Sequence, residues 1–349
     1  LGLAVLDQDR SAESRHLVER LQAGGYFRQS HVLDRYAQVE AVLLGREAAA
    51  VLVIPPDFSE TLATRRSAAV QLLVDGSDAN TATIALGYAD AIVAAHIASL
   101  ARPAPPNPMS TAAASPGASR GTSTTLLVAT RSTAPPLDVR TRIWYNPELE
   151  SRNMIVPGLI AVIMSIIAAL LTALTIAREW ERGTMEQLAS TPVGRGEVVL
   201  GKLIPYAVIG AVDVAVTVVA GMLVFNVPLR GNVLLLAVLT MLFLAGALGF
   251  GLFLSAALRS QMLATQAAIM STYLPAVLLS GLLYDIDSMP FAVRAVTFLV
   301  PARYFVTVTR GIFLKDVGLE VLWPEALAML AFAAVGLTLA TRVFRKEVA

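Results

Sequence analysis

The side chains in this sequence able to do chemistry are concentrated in one run, REWERGTMEQL at 178–188, where Glu179, Glu181 and Glu186 alternate with Arg178 and Arg182. Carboxylates interleaved with guanidinium groups, with no histidine nearby, suit ion pairing and docking better than proton transfer. Asp213 stands apart, in the middle of an apolar run, where a charged group costs about 2.5–3.5 kcal/mol at membrane depth. Such a group either hydrogen-bonds a neighbouring helix or serves a substrate or a proton. Asp7 and Asp9 invite a metal or sugar-nucleotide reading, but with Ser11 after a strand they fit the turn and cap that open a helix. Asp75 and Asp78 flank Gly76-Ser77 and read as a turn. The run GEVVLGK at 196–202 has most of the spacing of a nucleotide-binding loop, but Leu203 replaces the magnesium-binding Ser or Thr and a long apolar run follows at once. The three histidines, His16, His31 and His96, are scattered, and the absence of cysteine excludes disulfides, thiolate metal sites and a cysteine nucleophile.

The elements that position these residues are membrane helices. A bilayer core about 30 Å thick takes roughly twenty apolar residues as helix. Residues 155–177, 233–257 and 263–284 carry no charged side chain, 203–225 carry only Asp213, and a weaker run at 321–341 opens on Pro324 and Glu325. The fold class expected is an α-helical polytopic membrane domain over 151–349 with five transmembrane helices. A composition of 56% hydrophobic and 15% charged residues agrees, and a net charge of +1 offers nucleic acid no electrostatic footprint.

Residues 1–150 are of another kind. Short apolar strands at 3–6, 49–54 and 70–74 alternate with helical patterns at 11–23, 36–44 and 81–100, which reads as an α/β domain. The Pro, Ala, Ser and Thr of 102–136 read as a flexible insertion, after which a strand is expected near 139–144. Lys and Arg counted near the helix ends put the 178–202 connection and the C-terminal tail in the cytoplasm, and so put the α/β domain on the extracytoplasmic side. Arg294, Arg303, Arg310 and Lys315 conflict with that count. Delivery of such a domain calls for a preceding membrane segment, so a sixth, N-terminal transmembrane helix is expected to be missing from this chain.

Within the charged run, Gly183 is expected to turn the chain. Thr184 and Gln187 have the spacing of a capping box opening a short helix that ends at Thr191-Pro192, a knob offering Glu179, Glu181, Arg182 and Glu186 to a partner. A solvated loop serving topology alone is the competing reading. On the far side, 285–315 is too long for a turn, and short helices at the membrane boundary are expected there.

The run REWERGTMEQLASTP at 178–192, followed by LGKLIPY at 200–206, resembles ABC-2 type transporter permeases. Further matches in the same order are VLDQDRS at 5–11, YNP at 145–147, VPG at 156–158, PLRG at 228–231, SMP at 288–290, and PARYF and RGIF at 301–305 and 310–313. The resemblance extends over nearly the whole chain and is strongest to the subgroup with a large extracytoplasmic domain between the first two transmembrane helices. It implies an export permease of a bacterial cell membrane, with no cofactor of its own, working with separate ABC ATPase subunits that carry ATP and Mg. It implies a second permease copy or related permease, surrounding membrane lipid and a candidate periplasmic adaptor as partners. It carries the coupling role onto Glu179, Glu181, Arg182, Gly183, Thr184, Glu186, Thr191 and Pro192. It also implies a re-entrant helical hairpin divided at Pro301, with Tyr304 at the wet interface, serving as an outer gate or as packing. A membrane receptor or scaffold with an outer sensing domain is the alternative from another class. An embedded enzyme lacks a paired acid, a histidine cluster or a nucleophile and base within the spans.

Overall fold

The computed structural model describes residues 1–64, 66–100, 137–184, 187 and 191–344, without the side chains of 96–100 and 287. The chain divides into two compact units, Leu1–Val74 with Thr83–Ile143, and Asp75–Ala82 with Trp144–Ala349.

The first unit is built on a five-stranded sheet. Its elements are β1 (Gly2–Asp7), α1 (Ala12–Ala23), β2 (Arg28–Val32), α2 (Ala37–Leu44), β3 (Ala50–Ile54), α3 (Phe58–Ala63), β4 (Ala68–Asp75), α4 (Ala79–Leu100) and β5 (Leu137–Trp144), with strand order β2-β1-β3-β4-β5. β1 runs parallel to both neighbours, and β4 runs antiparallel to β3. The five residues of β3 and Leu3 to Leu6 of β1 are all buried, as expected of central strands covered on both faces. β2 has no counterpart in the sequence reading because all five of its residues are exposed, so it carries no apolar alternation.

The acidic turns fold as caps. Ser11 accepts a hydrogen bond from Ser14 N at 3.0 Å and opens α1, while Asp7 accepts from Asp9 N, Arg10 N and the Ser14 hydroxyl. Asp78 accepts from Asn80 N and Thr81 N at the start of α4. No group of three His, Asp or Glu able to hold a metal occurs among the described residues.

Among the described residues, the second unit contains five helices long and apolar enough to cross a membrane: α5 (Ser151–Glu181), α6 (Arg195–Leu223), α7 (Val233–Leu258), α8 (Gln261–Leu279) and, after two shorter helices, α11 (Leu319–Val343). The shorter pair, α9 (Phe291–Thr297) and α10 (Pro301–Lys315), is bent by 78° at its break and would make a sixth span if counted together. Helix α5 continues beyond its apolar run at both ends, and α6 begins eight residues before its run and ends at Leu223, two residues short of the run's end. α8 instead ends short of the expected residue 284, because Gly281 turns the chain at φ +82°.

The centre of this unit is packed through small residues, as helices in lipid require when no hydrophobic force draws them together. Ala169, Ala173 and Ala177 of α5 form a fully buried cluster with Ala264 and Ala268 of α8. On the other side of α7, Gly246 and Gly249 meet α11 at Gly336, backbone against backbone.

Candidate functional site

The charged run lies where four helix ends converge. Arg182 N donates to Arg178 O, Gly183 N to Trp180 O and Thr184 N to Glu179 O, and Gly183 sits at φ +73°. This is the Schellman closure of a helix C-terminus, which requires a left-handed residue after the last turn. Gly183 therefore has the turning role read from the sequence. A Cβ there would meet nothing within 4 Å, so Gly183→Ala is expected to cost about 1 kcal/mol through backbone strain alone. A thermal-stability comparison of the purified variant with the parent checks this, and no change would mean that the turn relaxes freely.

The Thr184 hydroxyl donates to Glu179 O at 3.3 Å, and so joins the end of α5. Met185, Glu186 and residues 188–190 lie outside the described residues, and the expected short helix falls among them; Gln187, the one described residue between them, is in helical conformation. Arg182, Gly183 and Thr184 are exposed, and Pro192 is exposed beside a half-buried Thr191.

Glu179 and Glu181 differ from the expectation that they offer charge outward: both carboxylates are engaged by neighbouring helices. Glu179 pairs through Oε1 with Lys202 of α6, while its Oε2 is buried without a hydrogen-bond partner among the described residues. Glu181 accepts from Gln261 N at 2.7 Å and from the Gln261 side-chain amide. It thereby caps the first turn of α8, where free N–H groups and the helix dipole favour a carboxylate. Arg259, in left-handed conformation in the two-residue link between α7 and α8, lies over the Trp180 ring at 4.4 Å. The Ser255 hydroxyl of α7 accepts from Ala177 N at 2.9 Å. Gly196 and Lys202, the ends of the loop-like spacing, lie within helix α6, which excludes a phosphate-cradling loop. Trp180, Ser255, Arg259 and Gln261 were not singled out from sequence; the one signal for them is the polar break RSQ at 259–261 between apolar runs.

A second convergence surrounds α10. Arg310 is 6% exposed and donates to Met154 O at 3.3 Å, Gly281 O at 3.0 Å and Leu282 O at 3.3 Å. Leu282, whose carbonyl Arg310 holds, fits against α5 because Gly158 has no side chain: a Cβ there would stand 2.4 Å from Leu282 Cδ1 and 3.5 Å from the Arg310 guanidinium. In the last turn of α10, Arg230 N donates to Phe313 O and Gly231 N to Ile312 O, satisfying carbonyls that a helix end leaves free. Lys315 pairs with Asp75 at 2.6 Å, and its ammonium lies 5.0 Å from the Tyr145 ring. The segments VPG, PLRG, YNP and RGIF, far apart in sequence, thus meet on one short helix.

Burial of Arg310 and Lys315 explains their conflict with the charge count, which presumes solvated loop cations. Pro301 occupies the first position of α10, and the Tyr304 hydroxyl donates across the break to Phe298 O at 2.8 Å. Asp213 is half-buried on α6; Thr217 donates to its backbone carbonyl, and its carboxylate has no partner among the described residues. The interhelical hydrogen bond read for it from sequence is not formed there.

Residues 1–342 match the family model described as ABC-2 family transporter protein. The chain is 35% identical over 341 residues to a protein of Escherichia coli (strain K12) named probable multidrug ABC transporter permease YbhS, covering 97% of this chain and 84% of that one. Probable multidrug ABC transporter permease YbhR of the same organism is 27% identical over 99% of this chain and 86% of its own length. Inner membrane transport permease YhhJ, also from that organism, is 25% identical over 99% and 85%.

Proposed function

Because the chain belongs to the ABC-2 family of transporter proteins, we propose that it is the membrane-spanning permease subunit of an ATP-binding cassette exporter. ATP and Mg are bound by separate ATPase subunits, and two permeases, identical or related, form the membrane part. The cargo is apolar or amphipathic and leaves the cytoplasm or the inner membrane. Residues 1–150 stand on the extracytoplasmic side, within reach of a periplasmic adaptor. The names of the relatives, two of them multidrug permeases and one an inner membrane permease, support this reading.

The observation that carries the mechanism is the junction at the end of α5. Glu179 ties it to α6, Glu181 to α8, and Trp180 and Ala177 to the end of α7. Movement of an ATPase against 182–192 is delivered through α5 to three further spans at once, because α6, α7 and α8 are each held to the end of α5 near their own ends. Arg182, Gly183, Thr184, Glu186, Thr191 and Pro192 form the receiving segment, and Glu179 and Glu181 pass the motion inward. Two packings with different ATPase contacts are required, since nucleotide can shift an equilibrium only through differential interaction. At the far end, the α9–α10 hairpin at Pro301 and Tyr304 is the outer gate.

The test is ATP-dependent movement of labelled amphiphiles in vesicles holding the permease and its ATPase. Glu181→Lys with Glu186→Lys is expected to cut transport at least about tenfold, because a cation at 181 repels the α8 N-terminus it now caps. A folded double variant with normal ATPase binding and stimulation would sink the coupling assignment. Intact ATPase binding with no movement of any amphiphile, in the parent as well, would favour a receptor or scaffold.

A further inference from the structure

Two polar side chains on adjacent spans are left without partners at one depth. Asp213 lies near the middle of α6, half-buried, with no hydrogen bond or ion pair to its carboxylate among the described residues. On α7, Thr240 is 2% exposed and its hydroxyl is buried with no hydrogen-bond partner among the described residues. Threonines in these helices otherwise satisfy themselves: Thr172, Thr217, Thr265, Thr272 and Thr309 each donate to the carbonyl four residues back. Thr240 does not.

Their common depth follows from helix geometry. A Cβ on Gly210 would lie 3.1 Å from the Leu244 side chain, which sets Gly210 and Leu244 level. α6 and α7 are consecutive spans and run in opposite directions. Asp213 is three residues beyond Gly210, about 4.5 Å along the axis, and Thr240 four residues before Leu244, about 6 Å. Both displacements point the same way. Tyr206, Gly210 and Thr217 lie at helical spacing from Asp213 on its inner side, whereas the exposed apolar Ile209, Val212 and Val216 flank it on its outer side.

A carboxylate within a span is costly unless a cation or donor meets it, and a buried hydroxyl without a partner adds to that cost. We propose that Asp213 and Thr240 form a recognition site for the ammonium group of a cationic amphiphile, the amine pairing with Asp213 and donating to Thr240 while its chain lies along the apolar spans. This rests on the exporter reading and gives its cargo class a charge.

The test uses the purified full chain in lipid nanodiscs and two fluorescent probes of one skeleton, a long-chain dansyl amide ending in a tertiary amine and its neutral analogue ending in a hydroxyl. The parent is expected to bind the amine at least about tenfold more tightly than the alcohol. Asp213→Asn should abolish that preference while leaving alcohol binding and thermal stability unchanged, Asp213→Glu should keep part of it, and Thr240→Val should weaken amine binding by a smaller factor. Equal binding of the two probes by the parent, or equal loss of both in Asp213→Asn, would overturn the site. A preference lost in Asp213→Asn upholds it even where vesicles show no ATP-driven movement of the amine, a result that counts against the exporter reading alone.

Discussion

Lys315→Met is expected to destabilise the protein by about 3–5 kcal/mol, because it leaves the Asp75 carboxylate buried without its cation. The Lys315 side chain is 4% exposed and that of Asp75 13%, and the pair closes at 2.6 Å. At that burial, solvent neither screens the attraction nor rehydrates the group left behind. Asp75→Asn alone should be similarly costly, since the ammonium then loses its charge partner while the Tyr145 face remains beside it. The double variant Lys315→Met with Asp75→Asn distinguishes charge from shape. Asn retains the acceptor that Ser77 N uses at 3.0 Å, and with both charges gone the desolvation penalty goes too. Most of the lost stability should therefore return. Thermal unfolding of the four purified proteins in detergent gives the coupling directly, and additive losses in the double variant would mean that the pair is structurally incidental.

The membrane helices were legible because their chemistry is local: apolar length in a bilayer has one solution, and every span expected from composition lies inside an observed helix except at 224–225, just past the end of α6, and at 280–284, where Gly281 ends α8 early. The buried strands were legible for the same reason, and β2 was not, since an exposed edge strand has no pattern to detect. Contacts between distant segments were the part that composition could not supply. Glu181 is eighty residues from Gln261, and nothing near it in sequence says that its charge is directed to a helix start instead of to a partner. Arg310 misled in the opposite direction. A guanidinium counted as a loop charge is in fact the group that satisfies carbonyls of Met154, Gly281 and Leu282.

One substitution, Gly to Ala in a helix, is expected to have opposite effects at two positions, and the contrast isolates the packing that holds the junction together. At Gly201 of α6, a Cβ meets nothing within 4 Å, so Gly201→Ala should stabilise the helix by up to about 1 kcal/mol through the lower entropy cost of ordering alanine. At Gly251 of α7, a Cβ would stand 2.3 Å from Thr172 Oγ1, 2.4 Å from Ala169 O and 3.0 Å from Ala169 Cα. Thr172 could rotate, but the Ala169 backbone is fixed within α5, so the two helices must separate. The expected cost is about 1–3 kcal/mol, the range for overpacking a close-packed interior. One turn further along α7, Ser255 accepts from Ala177 N at 2.9 Å, and a separation at Gly251 lengthens that bond. Ala177 precedes Arg178 and Glu179 directly, so Gly251→Ala should also reduce ATP-driven transport while leaving ATPase binding intact, since the segment proposed to receive the ATPase is untouched. Thermal midpoints shifted in opposite directions, with transport lost only at Gly251, are the expected pair of results. Equal shifts at the two positions would show that α5 and α7 can move apart at little cost, and that the small-residue seam does not hold the four helix ends together.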